Sequence, residues 1–314
     1  MTIPLIQVLL IEDNPTDALL LREAVRDDPL SAFEFTVAES LKSGLEYLAQ
    51  HPFDVILLDL GLPDGQGLES FETVHGAFPD KPIVVLSGLS DQRLALGAVQ
   101  SGAQDYLVKG TACWEIASRA IRYAIERKRM EMRLHYMATH DDLTGLPNRK
   151  LFHDRLTHAV GRARRWYSGK TEKWEVAVML LDLDNFKSAN DTYGHPQGDI
   201  LLQAVTEQLM KCVRESDTVA RMGGDEFTLI FENVSGTDDA EFLAHRVLAV
   251  FDQPFQFGGH ELLVTASVGI SLYPRDGQDA ESLLTHADIA MYQAKQDKST
   301  NSFRFYQDSV NSNK

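Results

Sequence analysis

Residues 54–65 read DVILLDLGLPDG, an apolar run that ends in the carboxylate of Asp59 and breaks at once into a turn containing glycine and proline. The same arrangement recurs on both sides of it. From Gln7 to Lys109 the short apolar runs VLLI, FEFTVA, DVILLD, PIVVLS and DYLVK alternate with helical stretches at 16–27, 40–50, 67–77 and 91–101. Strands alternating with helices at this spacing predict a five-stranded parallel α/β sheet. In such sheets ligand chemistry gathers at the carboxyl ends of the strands. Those ends carry Glu12 and Asp13 after the first strand, Asp59 after the third, Ser87 after the fourth and Lys109 after the fifth. Carboxylates converging at one sheet edge repel one another unless a hard cation neutralises them, and Mg²⁺ prefers a few carboxylates plus water and phosphate oxygens. A carboxylate can also act as a nucleophile toward phosphorus, with the Ser87 hydroxyl and Lys109 ammonium placed to bind phosphoryl oxygens.

The chain has 314 residues, 44% of them hydrophobic and 24% charged, enough for about two globular domains. This excludes a disulfide-stapled miniprotein and a disordered tail. Cys113 and Cys212 fall one in each half, without metal-ligand spacing, and no basic region followed by an apolar signal core opens the chain; a reducing, cytoplasmic compartment is expected. Apolar runs such as Val55–Leu58 fall far short of the roughly 18–20 residues that span a bilayer, so a soluble protein with no membrane partner is expected. The net charge of −16 divides as −11 over residues 1–111, +3 over 112–140 and −8 over 141–314. An acidic chain lacks the electrostatic footprint of a nucleic-acid binder.

Between Ala112 and Thr139 there is no proline or glycine, and Ile116, Ala120, Tyr123, Arg127, Met130, Leu134 and Met137 recur at alternating spacings of four and three. That period predicts either a coiled-coil dimerisation stalk or a terminal helix lying on its own domain.

In the second half, VAVMLLDLD ends a strand in two carboxylates, with Asp182 and Asp184 on one face at period two. MGGDEF places two glycines between the β-type segments TVARM and FTLIF, which predicts a hairpin with Asp225 at its tip. Glycines there let a nucleotide approach the backbone closely. If the two strands are neighbours, Asp182 and Asp225 face one another across a hard metal ion, the equipment for in-line attack on a phosphate. Nucleotidyl transfer is the expected chemistry.

The runs LLIEDN, LLDLGLPDG, VVLSG and DYLVKG resemble the response-regulator receiver family. The resemblance implies a flavodoxin-like doubly wound domain over 1–111. In it Asp59 accepts a phosphoryl group from a cognate histidine kinase, Glu12, Asp13 and Asp59 hold the metal, and Ser87, Tyr106 and Lys109 form the switch. Gly110 stands where that family usually has proline, which predicts a looser loop.

DDLTGLPNR (141–149), LLDLDNFKSANDTYGHPQGD (180–199), RESDTVARMGGDEF (214–227), SVGIS (267–271) and HADIAMYQAKQDK (286–298) resemble the GGDEF family of diguanylate cyclases. This implies a palm-like α/β domain over 141–308, joined to the receiver by the helical stalk at 112–140 and followed by a polar tail at 309–314. The implied reaction condenses two GTP into cyclic di-GMP and two pyrophosphates. By position, Asp182, the Leu183 carbonyl and Asp225 bind metal. Asn190 and Asp199 read guanine with His195 nearby, and the backbone at Asn185 and Phe186 holds the terminal phosphates with Lys187 and Lys295. Asp225, or Glu226 as a second candidate, takes the proton from the 3′-hydroxyl. Arg214 and Asp217 match the family's RxxD inhibitory product site. The implied ions are Mg²⁺ or Mn²⁺, one in the receiver and up to two in the cyclase. Because each domain holds one GTP, a homodimer through receiver and stalk is implied, with phosphorylation bringing two catalytic domains face to face. Where the family continues with Gly-Arg-Asn, this chain has Lys298-Ser299-Thr300-Asn301, one residue longer; the change at Lys298–Thr300 predicts weaker GTP binding, so a catalytically weak module that acts as a cyclic di-GMP or GTP receptor is the alternative. In many relatives a phosphodiesterase domain follows where this chain ends.

Overall fold

The computed structural model describes residues 4–65, 67–88, 92–167, 174–257, 259–297 and 301–307. The chain forms two compact units, Met1–His135 and Tyr136–Lys314. Among the described residues no helix is long and apolar enough to cross a membrane.

The first unit runs β1 (Leu5–Ile11), α1 (Pro15–Val25), β2 (Ala32–Ala38), α2 (Leu41–Gln50), β3 (Val55–Asp59), α3 (Leu68–Ala77), β4 (Ile83–Ser87), α4 (Gln92–Gln100) and β5 (Asp105–Val108), then enters α5 (Thr111–Thr139). The sheet is parallel in the order β2-β1-β3-β4-β5. The first two helices start for local reasons. Asn14 caps α1 by accepting from the Thr16 N–H, with Pro15 in the first turn, and Ser40 and Ser43 form a reciprocal capping box on α2. Strands β3 and β4 are buried along their whole length, as parallel strands covered on both faces must be. Leu9, Ile11, Ile56, Leu58 and Val85 pack against α2 and α3, whereas Val8, Leu10, Leu57, Val84 and Leu107 pack against α1 and α5.

That second face explains how α5 differs from a single seam. Ala117, Ala120, Ile121, Ala124 and Ile125 are buried in the receiver core, because α1 alone does not cover that side of the sheet. Of the 4,3-spaced set, Ala120 is therefore committed to its own domain and Ile116 and Tyr123 flank it, while Arg127 donates to the Gln104 carbonyl at 2.9 Å. Beyond that point Met130, Leu134 and Met137 are exposed. The helix thus begins as part of the receiver core and continues as an exposed stripe.

Asp28 and Arg122 fasten the packed half. The Arg122 guanidinium donates to Asp28 at 2.8 Å, and the N–H groups of Leu30 and Ser31 donate to the same oxygen. Desolvation pushes the Asp28 carboxyl up, but hydrogen bonds from Arg122, Ser118 and Leu30 outweigh it and hold the group down at about 2. A depressed folded pKa contributes stability that is complete above the ordinary carboxylate range and is lost as pH falls through the folded value. Asp28→Asn is expected to cost about 1–2 kcal/mol at neutral pH. Urea midpoints measured across pH should show that difference intact down to about pH 4 and vanishing toward 2; a gap that ignores pH rejects the assignment.

The second unit contains α6 (Arg149–Tyr167), β6 (Glu175–Leu183), α7 (Phe186–Tyr193), α8 (His195–Lys211), β7 (Thr218–Gly223), β8 (Glu226–Val234), α9 (Thr237–Leu248), β9 (Phe255–Phe257), β10 (His260–Leu262), β11 (Ala266–Tyr273), α10 (Ala280–Gln296) and β12 (Ser302–Phe305). Its main sheet has the order β12-β11-β6-β8-β7 and is antiparallel except for β12 on β11; β9 and β10 form a separate hairpin. Alternation along β6 sends Ala177, Met179, Leu181 and Leu183 into the core under α8 and α9. It sends Val176, Val178 and Leu180 into the core under α6 and α10. Asp182 continues the second series, at the end of the strand. On β11, a Cβ built at Gly269 would lie 2.0 Å from the Ala287 carbonyl oxygen and 2.2 Å from the Met291 nitrogen. The backbone of α10 rests directly on this glycine.

Candidate functional site

In the receiver, the first and third strands end side by side, so Glu12, Asp13 and Asp59 can each offer an oxygen within 4.8 Å of the others. Glu12 and Asp59 are buried and Asp13 is exposed. The Lys109 ammonium lies 2.8 Å from Glu12, 3.0 Å from Asp59 and 3.3 Å from Asp17. Burial raises the Glu12 pKa and the Asp59 charge adds to it, against the pull of Lys109. The Lys109 pKa is itself raised: burial opposes its charge, but hydrogen bonds to Glu12 and Asp59 outweigh burial. Ser87 is buried with an Oγ that has no hydrogen-bond partner, and Tyr106 on β5 is 37% exposed. Three hard oxygen donors fit a Mg²⁺ ion, and the unpartnered hydroxyl fits a phosphoryl oxygen. Gly110 adopts φ +150°, a path that proline, fixed near −65°, cannot follow. Asp17, in the first turn of α1, was not legible as a member of this cluster.

In the second unit the pairing of β6 with β8 sets Asp182 opposite Glu226, and its pairing with β11 sets Asp182 opposite Ser267. The Leu183 N–H donates to the Asp225 carbonyl at 3.3 Å, so the strand end bearing Asp182 abuts the hairpin tip. That tip is built by Gly223 at φ +136° and Gly224 at φ +56°, conformations that L side chains avoid. Asp182 is buried, and its Oδ2 lies 2.8 Å from the Lys295 ammonium on α10. Desolvation raises the Asp182 pKa, Asp225 and Glu226 push in the same direction, and Lys295 opposes them. Two neighbouring carboxylates, one at a strand end and one at the hairpin tip, beside a backbone carbonyl are a donor set that suits a divalent cation. Asp184 is occupied differently, since its oxygens accept from Thr265 Oγ1 at 2.6 Å and Ser267 Oγ at 2.8 Å.

Past β6 the chain turns through Asn185, a left-handed residue at φ +57°, and no side chain caps α7. The first N–H groups of α7, at Phe186 and Lys187, are thus suited to an anion. Asn190 sits where α7 meets α8. Its Oδ1 is buried without a hydrogen-bond partner, and a Cβ at Gly198 would come within 1.8 Å of that oxygen. Asp199 follows directly, exposed, and His195 is exposed at the start of α8. Lys298–Thr300 lie outside the described residues.

The sequence reading missed Arg221. Its Nε and Nη2 donate to the Gly224 carbonyl at 3.1 and 2.7 Å, and its Nη1 donates to both oxygens of Asp141 at 2.9 and 3.1 Å. Burial raises the Asp141 pKa, but Thr144 and Arg221 hold it below the ordinary range. The segment around Asp141 is in turn fixed to the end of α5: Asn148 donates to the carbonyls of Ala138 and Thr139. Hydrogen bonds therefore run from the last turn of α5 to the two-glycine hairpin. The available sequence signal was an arginine two residues before Gly223.

At the RxxD run, Asp217 Oδ2 accepts from the Arg214 N–H at 2.9 Å and the Asp217 N–H donates back to the Arg214 carbonyl at 3.0 Å. Asp217 closes its own turn instead of pairing with the Arg214 guanidinium. Arg246, a second omission, has buried Nε and Nη2 atoms without partners, and its carbonyl lies 3.7 Å from Cys212 Sγ, two residues before Arg214.

Residues 138–301 match the family described as diguanylate cyclase, GGDEF domain, and residues 8–120 match the response regulator receiver domain. The chain is 42% identical over 198 residues to the bifunctional diguanylate cyclase/cyclic di-GMP phosphodiesterase MucR of Pseudomonas aeruginosa, covering 63% of this chain and 28% of that protein. It spans about a quarter of the length of the curated relatives it first matches. A structure of the GGDEF domain of TpbB (YfiN) from Pseudomonas aeruginosa is 36% identical and covers 54% of this chain and 94% of that one, with a TM-score of 0.50. The coiled coil and GGDEF domain of DgcB from Caulobacter crescentus, solved with c-di-GMP, is 26% identical and covers 60% and 98%, with a TM-score of 0.51. With the family's signature on a two-glycine hairpin beside a buried strand-end aspartate, and a receiver domain preceding it, the chain belongs to the GGDEF diguanylate cyclase family.

Proposed function

We propose that this chain is a phosphorylation-controlled diguanylate cyclase that condenses two GTP into cyclic di-GMP. The observation that carries the reading is the abutment of the Asp182 strand end on the Asp225 hairpin tip, through the 3.3 Å bond from the Leu183 N–H. Asp182, Asp225 and the Leu183 carbonyl would hold Mg²⁺, as Glu12, Asp13 and Asp59 would in the receiver, supplying charge neutralisation at the phosphoryl oxygens. The N–H groups of Phe186 and Lys187 and the Lys187 and Lys295 ammoniums hold the terminal phosphates, and Asn190 and Asp199 bind the guanine edge. Asp225, with Glu226 next to it, accepts the 3′-hydroxyl proton. The hydroxyl oxygen forms a bond to the α-phosphorus of the other nucleotide, and pyrophosphate leaves with the electron pair of the broken P–O bond. Two such steps close the ring.

Arg214 supplies donors and Asp217 an acceptor for a phosphate-bearing guanine ligand, which supports product inhibition there. The exposed Met130, Leu134 and Met137 stripe suits a homodimer seam, and Asp59 is the acceptor for a cognate histidine kinase. Control by the receiver is tested by product formation with and without beryllofluoride. Stimulation is expected in the wild type and absent in Asp59→Asn, which retains basal turnover; equal stimulation of both proteins rejects receiver control.

A further inference from the structure

Two side chains of the receiver are placed to bind a phosphoryl group on Asp59, and they stand in opposite conditions. The Ser87 hydroxyl is buried without a hydrogen-bond partner and is ready to donate. The Lys109 ammonium is already occupied. An ammonium has three N–H donors, and three carboxylate oxygens surround this one: Glu12 at 2.8 Å, Asp59 at 3.0 Å and Asp17 at 3.3 Å. A phosphoryl oxygen reaches Lys109 only by displacing one of them. The Glu12 and Asp59 side chains are buried, where the loss of a charged partner is costly. The Asp17 side chain is 23% exposed and makes the longest of the three contacts, so it is the partner that gives way. Asp17 lies in the first turn of α1, where the helix dipole favours a carboxylate, and its Oδ2 accepts from Asn14 Nδ2 at 3.3 Å. Those roles account for an acid at this position. They do not account for the same oxygen reaching Lys109, beyond the end of β5.

We propose that Asp17 is a positioning residue that holds Lys109 back from the phosphoryl group and so limits how tightly the receiver keeps it; the inference rests on the reading of Asp59 as phosphoacceptor. Two effects act in the same direction. The third donor of Lys109 must leave Asp17 before it can serve a phosphoryl oxygen. The charge added at Asp59 also repels Asp17, since both carboxylates stand within 3.3 Å of one ammonium, well inside the screening length of about 8 Å at physiological ionic strength. A cation there would draw on Glu12, Asp13 and Asp59, which leaves the Asp17 charge standing beside the phosphoryl group. Asp17 interacts better with the unphosphorylated arrangement than with the phosphorylated one, and that difference is the whole of its influence.

The test is Asp17→Asn in the full-length protein, with Asp17→Ser as a second uncharged variant and Asp17→Glu as the conservative one. Calorimetry measures the binding of Mg²⁺ alone, and then of beryllofluoride at saturating Mg²⁺. Both uncharged variants are expected to bind beryllofluoride at least about fivefold tighter than wild type. Their Mg²⁺ affinity should be equal or lower, because removing a nearby negative charge does not tighten the hold on a cation. Asp17→Glu should return beryllofluoride affinity to within about twofold of wild type. A merely structural role for Asp17 would move stability without tightening the binding of an anion. Beryllofluoride affinity that is unchanged or weaker in the uncharged variants overturns the proposal, as does a gain that appears equally for Mg²⁺. A wild-type protein that binds no beryllofluoride with Mg²⁺ present overturns the phosphoacceptor reading and this inference together, an outcome distinct from a wild type and variants that bind it equally.

Discussion

Asp225→Ala is expected to reduce cyclic di-GMP formation by at least about a thousandfold, or about 4 kcal/mol of transition-state stabilisation, while the protein melts close to wild type. The size of the loss follows from position. Asp225 stands at the tip of a hairpin, where its side chain serves neither the core nor the turn. The turn is held independently by the Arg221 bonds to the Gly224 carbonyl and by the Gly223–Glu226 pairing. Removing the carboxylate also removes one of the charges that keep the Asp182 pKa up. A product assay with GTP and Mg²⁺ on matched preparations decides the matter. Residual turnover above a tenth of wild type would exclude Asp225 from the chemistry.

Gly269→Ala is the second large effect, and it acts on stability. Its Cβ would overlap backbone atoms of α10 at 2.0 and 2.2 Å, and backbone cannot rotate away as a side-chain tip can. The helix must lift from β11. A destabilisation of about 3 kcal/mol, at the upper end for overpacked cores, is expected. That corresponds to a fall of about 6–12 °C in the calorimetric transition of the second unit. Since α10 also carries Lys295, 2.8 Å from Asp182, the surviving folded fraction should bind GTP poorly. Gly76→Ala in α3 is the matched control: nothing lies within 4 Å of its Cβ position, so it should leave the receiver transition unchanged or slightly raised. A shift of under about 2 °C for Gly269→Ala would show that α10 adapts cheaply.

Much of the architecture was legible because parallel and antiparallel strands leave different traces. In the receiver, each apolar run stops at a polar residue, so Glu12, Asp59, Ser87 and Lys109 could be aligned at one edge before any contact was known. In the second unit, two glycines between β-type runs predicted the hairpin, and the structure has β7 and β8 paired around it. The missed groups share one property: their roles depend on partners distant in sequence. Arg221 meets Asp141 across 80 positions, and Asp17 reaches Lys109 from a different element. Gly269 is one small residue in SVGIS until α10 is laid on it. The stalk shows a different limit. A helix that packs on a sheet and a helix that packs on its twin use nearly the same apolar spacing, so periodicity alone could not mark where α5 changes from the first to the second.

If Asn190 meets the guanine edge as proposed above, its unpartnered Oδ1 has a consequence for selectivity between purines. A buried acceptor without a donor carries a desolvation cost in the free protein, and Gly198 leaves the oxygen little room to escape it. A base that offers an N–H at that point relieves the cost, as guanine does with N1–H and its exocyclic amine. Adenine turns a lone pair toward the same oxygen and adds repulsion to a debt already standing. Discrimination then comes mainly from rejection of the wrong base, and it is expressed in the ratio of kcat/KM for the two nucleotides.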